Sequence, residues 1–131
     1  MASPPKVSVF VLCDAAIKDP ATGKTTIVGT FDRIVAPQFP AAHGAFAVYF
    51  KMSGLNGQYQ LAVQFLAPDL VTVVASLDIP QALVVSDPLV AVDAALNLPG
   101  LGLPTPGRYT VRWVYNGVTA EELTFIADLQ Q

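Results

Sequence analysis

The alternation of apolar and polar residues along the chain predicts β-strands. The stretch 59–65 reads YQLAVQF, with an apolar residue at every odd position and two glutamines between them. Alternate side chains of a strand lie on the same face, so this stretch has one apolar and one polar face. Such a strand is typical of an antiparallel sheet with one side on the core. The stretches 46–52, 71–77 and 90–96 alternate in the same way, and the last turns Asp93 outward.

The stretch 7–13, VSVFVLC, is apolar on both faces. A strand of this kind is central in its sheet or is covered by a neighbouring subunit. Strict alternation predicts Val7, Val9, Val11 and Cys13 on one side and Phe10 and Leu12 on the other.

Turn residues divide the chain at short intervals. Eleven prolines and nine glycines leave little room for a long helix. Asn56-Gly57 and Asn116-Gly117 are typical of tight hairpins, because both residue types accept positive φ angles, and residues 19–23 predict another turn. We interpret the one helix candidate, residues 36–44, as a turn or loop, and residues 97–107 as a surface crossover.

Many short strands with frequent turns predict a single all-β domain over residues 1–131. The expected fold is an antiparallel, immunoglobulin-like β-sandwich of about eight strands. A small β-barrel is the alternative. With the closing hairpin counted as one unit, the predicted strands are 6–16, 24–35, 44–53, 58–67, 70–78, 82–86, 89–97 and 108–126.

The closing hairpin contains a conflict of register. A regular ladder from a two-residue turn at Asn116-Gly117 would place Leu123 and Phe125 on the opposite face from Trp113. We predict a β-bulge within residues 119–121, because one extra residue returns both side chains to the face of Trp113.

The composition supports a folded chain. Apolar residues make up 53% of the sequence and charged residues 13%, about half the usual charged share. Disordered chains are polar and highly charged, so this composition argues against disorder. A small two-layer fold buries only part of so much apolar surface, and we expect some of the rest to be buried between subunits.

Charge and hydropathy restrict the partners. The net charge is −3 and the basic residues are scattered, whereas binding to a phosphate backbone needs clustered positive charge, so nucleic acid is not expected. No stretch approaches the roughly 18 apolar residues of a transmembrane segment. The single cysteine excludes an intrachain disulfide framework. We expect a cytoplasmic protein, with an extracellular or surface assembly as the alternative.

Residues 23–25, Gly-Lys-Thr, match the end of a phosphate-binding P-loop. That motif also needs a glycine five residues earlier, where this chain has Lys18, and a helix after the threonine. The residues that follow have the pattern of a strand, so we interpret Gly23 and its neighbours as a hairpin turn.

Cys13 and His43 are the candidates for a nucleophile and its base. Nothing local lowers the pKa of the cysteine, and its alternation with valines predicts a buried strand thiol. A lipid-anchor signal needs a small residue before the cysteine, and Leu12 is large. We therefore assign no catalytic residue and no anchor.

Four aspartates are the candidates for a calcium site. Asp14, Asp19, Asp69 and Asp87 lie at predicted strand ends, where loops of a C2-like domain would bring carboxylates together. They are isolated in sequence, and three of them adjoin prolines, which is typical of turns. One histidine and one cysteine do not suffice for zinc, and no cofactor is assigned.

Several stretches resemble a family of short bacterial proteins of unknown function. They are LCDAA at 12–16, GK at 23–24 leading into IVGTFDRI at 27–34, FP at 39–40, and PGRY at 106–109. The resemblance implies an all-β, immunoglobulin-like sandwich and brings no activity with it.

The function that these observations favour is non-enzymatic. High apolar content, low charge and the lack of a reactive motif predict an interaction or assembly module that associates with itself or with another protein. The alternative is a ligand- or calcium-binding module that uses loops at one end of the sandwich.

Overall fold

The computed structural model describes residues 2–131 as an all-β fold, as the sequence predicts. Within these residues no helix is long and apolar enough to cross a membrane. The strands are β1 Lys6–Lys18, β2 Thr25–Thr30, β3 Arg33–Ala36, β4 Ala41–His43, β5 Phe46–Ser53, β6 Gly57–Tyr59, β7 Leu61–Leu66, β8 Val73–Asp78, β9 Leu83–Val85, β10 Val92–Leu98, β11 Leu101–Leu103, β12 Gly107–Tyr115 and β13 Val118–Leu129.

Two larger sheets dominate the fold. One has the strand order β10-β5-β1-β2 and the other β3-β13-β12-β7-β8, while β11-β4 and β6-β9 form two-stranded ladders. Neighbouring strands run antiparallel except β3 and β13, which are parallel. This parallel pair departs from the purely antiparallel arrangement that the sequence predicts.

The two larger sheets enclose one hydrophobic core. Phe50 of β5 stacks on Trp113 of β12 with ring centroids 4.2 Å apart. Phe46 of β5 meets Phe65 of β7 edge-on at 5.9 Å. Because each pair joins one sheet to the other, the sheets face each other across these rings.

Strand β1 is central and apolar on both faces, as predicted, except that Val7 lies on the other face. The β1–β5 ladder skips Ser8, which shifts the register by one residue. Val7 therefore packs in the main core with Phe10 and Leu12 rather than with Val9 and the residues that follow it.

Two predicted strands are each divided between sheets. Residues 24–35 form β2 and β3, which belong to different sheets, and residues 58–67 form β6 and β7. The second break lies at Gln60, whose backbone N–H donates to the side chain of Asn116 at 2.8 Å. The apolar alternation continues through the second break, and the apolar positions of residues 24–35 follow no single period, so periodicity alone reveals neither break.

Residues 97–107 are more ordered than the predicted surface crossover. They contain β11, whose Leu101 and Leu103 are buried in the core and whose partner is β4. The helix candidate at 36–44 contains a bend over residues 37–40, in line with its interpretation as a turn or loop, but it continues into strand β4, which the sequence does not predict.

The predicted bulge in the closing hairpin is confirmed. Ala120 has no partner in the β12–β13 ladder. Beyond it Val111 faces Leu123 and Tyr109 faces Phe125, which places both of these β13 residues on the core side.

Three valines that the alternation places on apolar faces are exposed. Val71 and Val73 are 79% and 49% exposed, and Val90 is 45% exposed. The Asp69 carboxylate accepts the backbone N–H of Val71 and holds that residue in a turn, and β8 lies at the edge of its sheet. Val90 precedes β10, which begins at Val92.

Candidate functional site

The four-stranded sheet carries an apolar cluster on its outer face, turned away from the core. Ala47 and Tyr49 of β5 alternate with core residues of the same strand, so their side chains point outward. Cys13 of β1 lies beside them and is fully buried. We call this group the outer cluster; its members are Val9, Val11, Cys13, Ala16, Ile27, Ala47, Tyr49 and Ala95.

A local irregularity in the β1–β2 ladder accompanies the extension of the outer cluster to Ala16. Cys13 and Ala16 both belong to it although they are three residues apart, which strict alternation does not allow. In this part of the β1–β2 ladder, Asp14 and Gly29 do not pair, and Gly29 has a φ of +68°. A β-carbon on Gly29 would lie 2.4 Å from an Asp14 carboxylate oxygen, so glycine permits this close approach.

A polar group of four residues borders the outer cluster. The Tyr49 hydroxyl donates to the Asp93 carboxylate at 2.7 Å, and the Thr25 hydroxyl donates to the same oxygen at 3.1 Å. The Lys18 ammonium lies 4.0 Å from the other Asp93 oxygen. These residues come from β5, β10, β2 and β1, so the group ties together all four strands of the sheet.

The hydrogen bonds fix the charges in this group. The bond from Tyr49 is the largest cause that holds the pKa of Asp93 below its usual value. Burial, followed by the bond to Asp93, raises the pKa of the Tyr49 hydroxyl. The pair is therefore a phenol that donates to a carboxylate at neutral pH.

The candidate nucleophile and base lie in different surroundings. Cys13 donates its thiol to the Ala47 carbonyl at 3.7 Å, and burial is the main cause that raises the pKa of the thiol. His43 packs against the rings of Phe31 and Phe46, with centroids 5.2 and 5.4 Å away. The structure thus places the two candidate residues in separate contacts.

The calcium candidates are engaged in local turns. Asp19, Asp69 and Asp87 each accept the backbone N–H two residues further on, at 2.8 to 3.0 Å. Asp14 lies against Gly29 instead. Within residues 2–131 no three His, Cys, Asp or Glu side chains come together in a way that could hold a metal ion. These contacts are those of ordinary turn residues.

A second surface lies where the two large sheets meet at an open side. Strand β2 pairs with residues 13–18 of β1, and β3 pairs with residues 126–129 of β13. Among the described strands, residues 6–12 of β1 and 118–125 of β13 therefore have a ladder partner on one side alone.

A groove of about 320 Å³ opens between these two edges. Its apolar lining comes from both sheets, and its one charged lining residue is Asp32. We call it the edge groove; its lining residues are Phe10, Val11, Leu12, Thr30, Phe31, Asp32, Leu123 and Thr124.

Sequence reasoning did not predict either surface as a site. Alternation correctly turns Asp93 outward, but it does not show that Tyr49 lies beside it, because that requires the register of β5 against β10. The edge groove joins residues from opposite ends of the chain, such as Phe10 and Leu123.

The fold defines the chain as an all-β protein in which two large sheets share one core. Residues 8–128 match the model of DUF6941, a family of unknown function, and the chain belongs to that family. No curated protein matches the chain.

Proposed function

We propose that this protein is a non-enzymatic interaction and assembly module that associates with a second copy through the outer face of its four-stranded sheet. The observation that supports this proposal is the outer cluster, eight apolar residues on a sheet face that has no share in the main core. An antiparallel sheet face that meets water is ordinarily polar. Contiguous apolar patches with polar rims are typical of protein interfaces.

The rim of the outer cluster favours a second copy as the partner. Lys51 lies opposite Asp93 in the β5–β10 ladder, and Lys18 reaches the same carboxylate. Both signs of charge therefore border the same patch. A two-fold axis through the patch would set the lysines of one copy against the aspartate of the other, as a self-complementary interface requires.

In this proposal the protein is an immunoglobulin-like sandwich of bacterial origin that acts in the cytoplasm. The two facing sheets support the sandwich fold. The resemblance to a family of short bacterial proteins supports the bacterial origin. One buried cysteine suits a reducing compartment. The buried Cys13 thiol with its raised pKa supports a non-enzymatic role, because a thiolate is the reactive form.

Sedimentation equilibrium tests the interface. Val9 and Ile27 are half-buried members of the outer cluster, and Val9→Lys or Ile27→Lys would place a charge inside the proposed contact. Each variant is expected to weaken association at least about tenfold, since a buried unpaired charge costs more than about 1.4 kcal/mol.

The matched control is Val84→Lys. Val84 is a strand valine that is 70% exposed and lies on β9, outside the four-stranded sheet. The Val84→Lys variant should associate like the wild type. A wild-type protein that is monomeric at all concentrations, or a control as weak as Val9→Lys, would rule out the proposed interface. Circular dichroism confirms that each variant is folded.

A further inference from the structure

We propose that the edge groove is a docking site for an extended segment of another protein that adds a strand to β1 and carries a lysine or arginine opposite Asp32. The edge that the segment would occupy is residues 8–11 of β1, and this edge ends at Leu12, whose carbonyl already accepts a bond from Phe31. This site shares Val11 with the self-association face, but it uses the strand edge of β1, whereas self-association uses the outer face of the sheet.

The backbone of β1 is available for pairing at this edge. The Leu12 carbonyl accepts the N–H of Phe31 at 3.2 Å, so the backbone groups of Leu12 point away from β5. The β1–β5 pairing is regular from Phe10 to Leu12. Along a strand, the N–H and C=O groups of successive residues point alternately to the two sides, so residues two apart point the same way. The N–H and C=O of Phe10 therefore point to the open side as well, and a chain laid along it would form ladder hydrogen bonds with them.

The groove receives the side chains of such a strand. Phe10 and Leu12 belong to the main core on one side, and Leu123 belongs to it on the other. Phe10 lies 6.2 Å from Trp113, measured between ring centroids, so the groove reaches the edge of the aromatic core. A strand added to β1 would direct every second side chain into this apolar space.

The charges around the groove favour a basic partner. Asp32 is exposed and lines the groove, while the next residue, Arg33, is engaged in an ion pair with Asp128. On β13 the carboxylate of Glu121 accepts the backbone N–H of Glu122 at 3.1 Å. Because this bond uses the N–H of Glu122, that N–H cannot pair with an added strand at the β13 edge. The edge of β1 is therefore the one that accepts a strand.

A second copy of this chain fits the groove less well. The open β13 edge of the second copy carries Glu121 and Glu122, and these negative charges would approach the negative Asp32 of the first copy. An extended basic segment of a different protein has the complementary charge. Carboxylates at the rim contribute mainly to specificity and association rate, and salt weakens their effect.

A selection with a phage library of linear random dodecapeptides tests the proposal. The selected peptides are expected to alternate apolar residues and to carry lysine or arginine. Each is then synthesised and its affinity measured by fluorescence anisotropy. Asp32→Asn should weaken binding about two- to five-fold at low salt, the size of an exposed ion pair. Asp78→Asn, at the opposite sheet edge on β8, is the matched control and should bind as the wild type does.

Two further readouts locate the bound peptide. Thr30→Trp fills the mouth of the groove at an exposed strand position and should abolish binding while the protein stays folded. In amide NMR spectra the peptide should shift the signals of Phe10 and Leu12 more than those of the control residue Val84.

Four outcomes of the binding experiments would overturn the proposal. They are a selection that enriches no peptide, a consensus that is acidic, equal effects of the two aspartate variants, and amide shifts away from β1. If Thr30→Trp instead dissociates the wild-type oligomer, the occupant is a second copy and the proposal is wrong.

Discussion

The indole N–H of Trp113 donates to the sulfur of Met52 at 3.1 Å in the centre of the core. Both side chains are fully buried. A buried indole needs an acceptor, and a thioether sulfur is a weak one that also fills apolar space. The methionine therefore contributes both packing and the acceptor for the largest side chain of the core.

Met52→Leu should be more costly than its volume change implies. The swap conserves volume, but it leaves the Trp113 N–H without an acceptor. We expect a loss of about 2 kcal/mol in the free energy of unfolding, measured with urea. The reverse swap at another fully buried position, Leu55→Met, should cost less than about 1.5 kcal/mol. Equal losses would show that the sulfur does not act as an acceptor.

Tyr49→Phe should change how stability depends on pH. The hydrogen bond from Tyr49 lowers the pKa of Asp93 in the folded state. A carboxyl with a depressed folded pKa stabilises the protein above its unfolded pKa of about 3.9, and this contribution is lost as the pH falls through the folded value. The variant should lose about 1 kcal/mol at neutral pH and approach the wild type in acid.

Urea unfolding from neutral to acid pH measures this difference. Tyr115→Phe is the control, because Tyr115 is a half-buried tyrosine that contacts the ring of Tyr59. Its difference from the wild type should not vary with pH. A Tyr49→Phe deficit that stays constant into acid would contradict the coupling to Asp93.

Gly29→Ala should be more destabilising than Gly23→Ala. Both glycines have positive φ, +68° and +72°, so each alanine is strained by about 1–2 kcal/mol. A β-carbon at Gly23 would meet no atom within 4 Å, whereas at Gly29 it would meet the carboxylate of Asp14. Asp14→Ala combined with Gly29→Ala should recover most of the excess in thermal or urea unfolding. If the double variant is still less stable than the strain of Gly29→Ala alone explains, the contact with the Asp14 side chain is not the cause of the extra loss.

Deletion of Ala120 should be tolerated. Ala120 is the extra residue of the β13 bulge, so its removal leaves Leu123 and Phe125 on the core face. We expect a loss of at most about 1 kcal/mol. Deletion of Thr124 is the matched test, because no single register then keeps both Leu123 and Phe125 inward. This deletion should lower the free energy of unfolding by at least about 3 kcal/mol. Equal losses in urea unfolding would mean that the bulge does not set the register.

Local patterns predicted much of the fold. Alternation identified the inward residues of β5, and the conflict within one hairpin was enough to predict the Ala120 bulge. A regular ladder would have paired Arg112 with Glu121, and the bulge pairs it with Glu122, 2.5 Å away. Short-range reasoning works here because the two strands are joined by a two-residue turn.

Contacts between distant segments could not be predicted in this way. The chain passes from one sheet to the other at Phe31 and Asp32, and the local sequence does not show that the residues before and after them belong to different sheets. The outer cluster and the edge groove depend on which strands are neighbours, which periodicity does not determine. Val7 was placed on the wrong face because a bulge at Ser8 leaves no signature in the sequence.

The parallel pairing of β3 with β13 sets an order for folding. Arg33 pairs with Ile126, about ninety residues further along the chain. Bringing such distant segments together costs loop-closure entropy before any contact is gained. During synthesis β3 emerges from the ribosome long before its ladder partner exists. Its five-stranded sheet therefore closes after translation has passed β13, and until then the apolar edge of β3 has to be kept from pairing with other chains.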